Sequence, residues 1–146
     1  MSNRLSVGFI GGALGAIILV IVMYIMQAAG MGAPAFVNMY HAMFDTNPPL
    51  DHIIAAIIFI ISGGIWGILF TLLVKHPTIL KGMLFGLLPS LWLWVVVNPV
   101  IGEPLFNNFT VKGLLMPLLF NVVIWGTFMG WYASRKYGHE TAGTTY

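Results

Sequence analysis

Two imidazoles and three carboxylates stand out in a chain with very few charges: His41 and Asp45 at i, i+4, then Asp51 and His52, and Glu103 further on. Imidazole nitrogens and carboxylate oxygens together could hold zinc or another divalent ion. No tight His-x-x-x-His or His-Glu pattern supports the set. Asp51, just after Pro48-Pro49, also suits a helix N-terminal cap, where its charge complements the helix dipole. A b-type haem needs two histidines at similar depth on facing helices. His41, His52 and His76 fall at the edges of apolar runs and His139 in the tail, so His52 could ligate haem only beside a partner subunit. The absence of cysteine excludes disulfides, thiolate metal sites and cysteine nucleophiles. No nucleophile-and-base pair, phosphate loop or paired acid is visible, so the chain is expected to be no enzyme.

Other polar groups suit packing better than chemistry. Ser62, Thr71, Ser90, Asn98, Asn121 and Thr127 lie within apolar runs, where such side chains usually hydrogen-bond between helices. Ion-coupled carriers keep an ionisable residue at that depth, which disfavours a proton-coupled mechanism and leaves room for a passive neutral-solute path. The tryptophans are the least ordinary feature. Trp66, Trp92, Trp94 and Trp125 fall deep within the runs, although Trp favours membrane interfaces. Indole offers flat area for packing and an N–H that wants an acceptor, so these residues suit core or lipid-facing packing, or contact with a partner subunit or lipophilic cofactor. The sequence requires no cofactor, and a lipid or lipophilic cofactor against the indoles is the one it accommodates.

The elements that must position these residues follow from charge. Residues 5–44, 52–74, 82–102 and 113–134 contain no Asp, Glu, Lys or Arg. About 20 apolar residues cross the roughly 30 Å hydrocarbon core of a bilayer, so the chain is expected to be an all-α membrane protein with four transmembrane helices. The predicted spans are about 6–28, 52–74, 82–101 and 113–134, within one domain of residues 1–136 followed by a polar cytoplasmic tail, 137–146. The first run, from Val7 to Ala28, exceeds the roughly 7–15 residues of a signal h-region, despite the small residues Gly32-Ala33-Pro34-Ala35 after it, and reads as an uncleaved span.

Arg4, Lys75, Lys81, Arg135 and Lys136 share one side of the spans, whereas Lys112 lies on the other with Asp45, Asp51 and Glu103. The positive-inside rule then predicts cytoplasmic N- and C-termini. Between the first two spans, Pro34 can open a helix, and Phe36, Val37, Met39, Tyr40, Met43 and Phe44 recur at helical spacing, predicting a short amphipathic helix in the first outer loop. The second outer loop, 98–112, carries Pro99, Gly102 and Pro104 and is expected to be irregular; Pro89 and Pro117 should bend the last two spans. Every span has a Gly-x-x-x-Gly pair: Gly8/Gly12 with Gly11/Gly15, Gly63/Gly67, Gly82/Gly86 and Gly126/Gly130. Such stripes let backbones approach, either within the chain or against a partner. Gly8–Gly12 also resembles Gly82–Gly86, and Ile65-Trp66-Gly67 recurs as Ile124-Trp125-Gly126, as duplicated hairpins would.

From His52 to Gly130 the chain resembles small bacterial inner-membrane proteins of the YagU-like type. The likeness rests on His52-Ile53-Ile54 opening a Gly-containing span, Pro77 in the turn, Gly82-x-x-x-Gly86 opening the next span and Pro99-x-x-Gly102 at its far end. The chain departs where such proteins carry a Gly-His pair, having Phe120-Asn121 instead. The resemblance implies a location in the bacterial inner membrane. The reading that best fits small size, glycine stripes and deep indoles is a non-catalytic accessory subunit of a larger respiratory or photosynthetic membrane complex. Its partners would be membrane lipids and other membrane subunits or further copies of itself, with no nucleic acid, since the six basic residues form no patch. The alternatives are a homo-oligomeric channel or carrier for a neutral solute, and a metal or ligand sensor at the outer face.

Overall fold

The structure, a computed structural model, describes residues 2–31 and 34–142. Gly32-Ala33 of the small-residue segment and residues 143–146 of the tail lie outside the described residues. Four helices are long and apolar enough to cross a membrane: Arg4–Ala28, Leu50–Leu73, Ile79–Val100 and Val111–Lys136. No strand occurs among the described residues, and the chain is an all-helical multi-pass membrane protein. A short helix, Ala35–His41, lies between the first two spans, with Phe36, Val37 and Tyr40 buried. The last helix runs on to Ala142, so it continues past residue 136.

Specific hydrogen bonds mark most of the span ends. Gly30 and Gly102 adopt positive φ, at 87° and 85°, which L side chains avoid. Behind each glycine the chain closes the same two hydrogen bonds: Met31 N–H to the Met26 carbonyl with Gly30 N–H to Gln27, and Glu103 N–H to Asn98 with Gly102 N–H to Pro99. These bonds satisfy carbonyls that a helix end would leave bare. The second span has no such glycine. Its last carbonyls accept instead from the Arg4 guanidinium, at 2.8 Å from Thr71 O, 3.3 Å from Val74 O and 2.9 Å from Lys75 O. A cation at a helix C-terminus also complements the dipole. Thr78 and Thr110 cap the starts of the third and fourth spans, accepting from Lys81 N–H and Gly113 N–H at 3.1 Å each.

The order in space is second, first, fourth, third: the first span packs along the second and also against the fourth, and the fourth packs against the third. Glycines form two of these seams. A Cβ on Gly12 would collide with the Gly63 carbonyl, and one on Gly67 with the Gly8 carbonyl. Between the third and fourth spans, a Cβ on Gly82 would strike the Gly126 carbonyl, and one on Gly86 the Asn121 carbonyl. Close backbone approach brings many atom pairs into dispersion range, the main attraction available between helices in lipid. The first–fourth seam works differently. There Gly11 and Gly15 leave room for rings and a thioether, since a Cβ would meet Tyr132 and Met129 at 2.6 and 2.8 Å or Trp125 at 2.8 Å.

The two proline-bearing spans contain wide turns. Pro89 lies in the helical segment Leu87–Trp92, which passes into a π-helical stretch at Leu93–Val97; Pro117 precedes one at Leu119–Gly126. Proline cannot donate to the ladder, and π turns are a recognised way for a helix to accommodate an irregularity. Between these spans the loop holds a 3-10 turn, Leu105–Phe109, and places Phe106, Asn108 and Phe109 at positive φ. Phe106 packs on Trp94 with ring centroids 5.5 Å apart, a contact that offsets backbone strain.

Candidate functional site: an aromatic cleft between the second and third spans

The second and third spans stand at the two ends of the row and are drawn together by rings at the end bearing Arg4. Phe70, wholly buried, meets Phe85 edge-on at 5.2 Å, while Trp66 meets Phe85 and Trp92, each at 6.3 Å. Towards the opposite, loop-bearing end the two helices diverge around a cleft of about 830 Å³. Leu19 and Met23 of the first span form its floor, Phe59 and Trp66 one wall, and Trp92 with Met116 and Phe120 the other. The short helix covers the loop-bearing end with Phe36, whose ring stacks on Phe59 at 5.3 Å. Volumes of this size accommodate drug-sized ligands.

Polarity in the cleft is graded along its length. Asn98, Glu103, Thr110 and Lys112 line it at the loop-bearing end, and Ser62 and Asn121 lie deeper. The Asn121 amide donates to Ser90 Oγ at 3.2 Å, and Ser90 in turn donates to the Gly86 carbonyl at 3.1 Å. Asn98 is 3% exposed and its amide donates to the Pro104 carbonyl at 3.3 Å, which anchors the loop beside the cleft mouth. Both π-helical stretches contribute lining: Leu93 and Val97 from one, and Phe120, Asn121 and Trp125 from the other. The cleft therefore presents an apolar body and a polar rim, the profile of an amphiphile.

The four deep indoles divide by role. Trp125 is buried and donates from Nε1 to the Gly12 carbonyl at 3.1 Å, binding the fourth span to the first. Trp94 is buried and donates to the Gly113 carbonyl at 3.3 Å. Trp92 is half exposed, and Trp66 lies partly buried beside it in the cleft wall.

The polar cluster at the loop-bearing end assembles in part. Asp51, only 1% exposed, receives His41 Nε2 at 2.6 Å on one carboxylate oxygen, and His52 Nε2 lies 3.9 Å from that same oxygen. The other carboxylate oxygen accepts the His52 backbone N–H at 2.7 Å. His52 Nδ1 is 2.8 Å from the Tyr24 hydroxyl of the first span. Asp51 is thus inside the first helical turn rather than at its cap, a position held by Pro49. Its carboxylate is turned to fasten the short helix through His41. Asp45 is exposed and Glu103 lies at the cleft rim, away from the histidines' hydrogen bonds. Among the described residues no three His, Asp or Glu side chains are grouped to hold a metal ion.

Sequence spacing did not reveal the Arg4 contacts, the Tyr24–His52 bond or the cleft. The first two join residues 67 and 28 positions apart, separations at which no periodicity applies. A signal for the cleft existed in the aromatic residues Phe59, Trp66, Trp92 and Phe120, but their common face depends on which helices neighbour each other. No family model, curated protein or solved structure matches this chain.

Proposed function

We propose that the chain is a non-catalytic membrane protein, of the accessory-subunit kind, that holds the long apolar body of an amphiphile in the cleft between its second and third spans. The supporting observation is the cleft of about 830 Å³, walled by Phe59, Trp66, Trp92 and Phe120 and rimmed by Asn98, Glu103 and Lys112. An apolar void at bilayer depth gains nothing from water and is filled by a matching apolar molecule. In this reading the Arg4-bearing end faces the cytoplasm of a bacterial cell, so the rim opens outwards. The split of basic residues supports that orientation.

Purification in a mild detergent, followed by native mass spectrometry and solvent extraction, tests the reading. A lipophilic molecule should be retained by the wild-type protein. It should be lost on Ser62→Trp, which fills the cleft, and kept on Leu73→Trp, which adds the same ring at a residue 68% exposed and outside the lining. Absence from the wild type, or retention in both variants, would overturn it. A membrane polypeptide released by Ser62→Trp would instead make the occupant a partner helix. Reporter fusions after Lys81 and Lys136 should read cytoplasmic and one near Asn47 external; a C-terminal fusion reading external would reverse the orientation.

A further inference from the structure

A second groove lies at the Arg4-bearing end, between the first and fourth spans and outside the cleft. It encloses about 410 Å³ and is lined by Leu14, Phe128, Trp131, Tyr132, Arg135 and Lys136. Its wall is a set of packed rings. Phe128 stacks on Tyr132 at 5.9 Å and packs on Trp131 at 5.8 Å, and Tyr132 sits in the space left by Gly11 of the first span. The cations rest on this wall: the Arg135 guanidinium lies 5.7 Å from the Trp131 ring centre and Lys136 Nζ 5.4 Å from that of Tyr132. Each ring face attracts the charge above it and limits where the long side chain can go.

Two other basic groups at this end are bound to backbone carbonyls. Arg4 donates to carbonyls of the second span, and Lys81 Nζ donates to the His76 carbonyl at 2.7 Å. Arg135 and Lys136 instead lie beside an apolar lining that includes Leu14, 39% exposed, and Trp131, 44% exposed. Two cations beside an apolar lining match a single molecular type. Neither a soluble anion nor a neutral lipid uses both.

We propose that this groove binds an anionic phospholipid, with the phosphate between Arg135 and Lys136 and an acyl chain along Leu14 and Phe128. The guanidinium fork suits phosphate oxygens bidentately and the ammonium adds a point charge. In the orientation proposed above, the groove faces the leaflet whose anionic lipids attract basic segments. Glu140, one helical turn beyond Lys136, is the acid nearest in sequence.

The test uses full-length, delipidated protein in detergent and native mass spectrometry against equimolar phosphatidylglycerol and phosphatidylcholine with identical acyl chains. Wild type should prefer phosphatidylglycerol, and the double variant R135Q/K136Q should lose about thirtyfold of that preference, since each basic residue near an anionic surface contributes roughly fivefold. The charge-preserving R135K/K136R should keep most of it. K75Q/K81Q should stay within about twofold of wild type, and E140Q should hold or raise the preference. Unchanged preference in R135Q/K136Q, or an equal loss in K75Q/K81Q, would overturn the assignment by showing diffuse charge at work. Competition by millimolar inorganic phosphate would also overturn it, because the site would then read a soluble anion.

Discussion

Replacing Gly67 and Gly64 by alanine, one residue type in one helix, separates backbone packing from glycine-rich composition. At Gly67 the new Cβ would collide with the Gly8 carbonyl and stand 2.9 Å from Gly12 Cα, so both nearest obstacles are backbone. Carbon atoms prefer roughly 3.5–4.0 Å and the carbonyl stands closer still, so the first and second spans must separate locally by about 1 Å or more, forfeiting about half of each dispersion contact there. Overpacking of this kind costs about 1–3 kcal/mol, against which alanine regains about 1 kcal/mol of helix propensity. With rigid backbone as the obstacle the cost falls in the upper part of that range, about 2–3 kcal/mol, so the net loss should be about 1–2 kcal/mol. At Gly64 the Cβ would meet the Phe9 ring at 2.6 Å, but that ring is 38% exposed and can swing outwards. There the propensity gain of about 1 kcal/mol should offset most of the strain, giving a change near zero. Reversible unfolding in mixed micelles, titrated with SDS, measures both variants on one scale. The expected gap of about 1–2 kcal/mol corresponds to roughly a 5- to 30-fold difference in the unfolding equilibrium. A gap below about 0.5 kcal/mol, or a more stable Gly67→Ala, would refute the reasoning and leave the glycines without a structural role.

Two further outcomes follow from single contacts. Trp125→Phe removes the buried Nε1 donor to Gly12 and some ring volume, and should cost about 1–3 kcal/mol in the same assay, whereas Trp92→Phe, at a half-exposed site, should cost under about 0.5 kcal/mol. His41→Ala leaves the buried Asp51 carboxylate without its 2.6 Å partner; because His41 is 42% exposed, water replaces part of the contact and the cost should be about 1–2 kcal/mol. That loss should appear in hydrogen exchange as earlier opening of Ala35–His41, with the spans unaffected, and uniform deprotection would count against the fastening role.

What the sequence discloses and what it hides divide along a physical line. Hydropathy is a property of each run by itself, so the four spans were legible, with their ends displaced by a few residues where Thr78 caps the third and the last helix runs on to Ala142. A helix does lie where Phe36, Val37 and Tyr40 fall at helical spacing, but it stops at His41, before Met43 and Phe44. Pairings across helices carry no such local mark. Arg4 reads as a topological charge, yet it terminates a helix some seventy positions away. Asp51 reads as a cap because two prolines precede it, but its bond to His41 requires the loop between them to fold back. Pro89 and Pro117 foretell an irregularity without specifying π turns. The glycine pairs signal close approach, while their partners depend on the neighbour order. The same holds for the cleft, whose walls come from helices that do not pack backbone to backbone.

The order second, first, fourth, third also bears on how the protein is made. The two glycine seams join spans that are consecutive in the chain, so each hairpin can close as soon as its second helix leaves the ribosome, with little loop entropy to overcome. The seam between the first and fourth spans, with the Trp125–Gly12 bond, joins residues 113 positions apart and waits for the last helix. Until then the wall carrying Trp92 and Phe120 has no fixed place opposite Phe59 and Trp66. The cleft is therefore the last part of the molecule to come into being, and the amphiphile proposed for it would be enclosed as the hairpins dock rather than admitted afterwards.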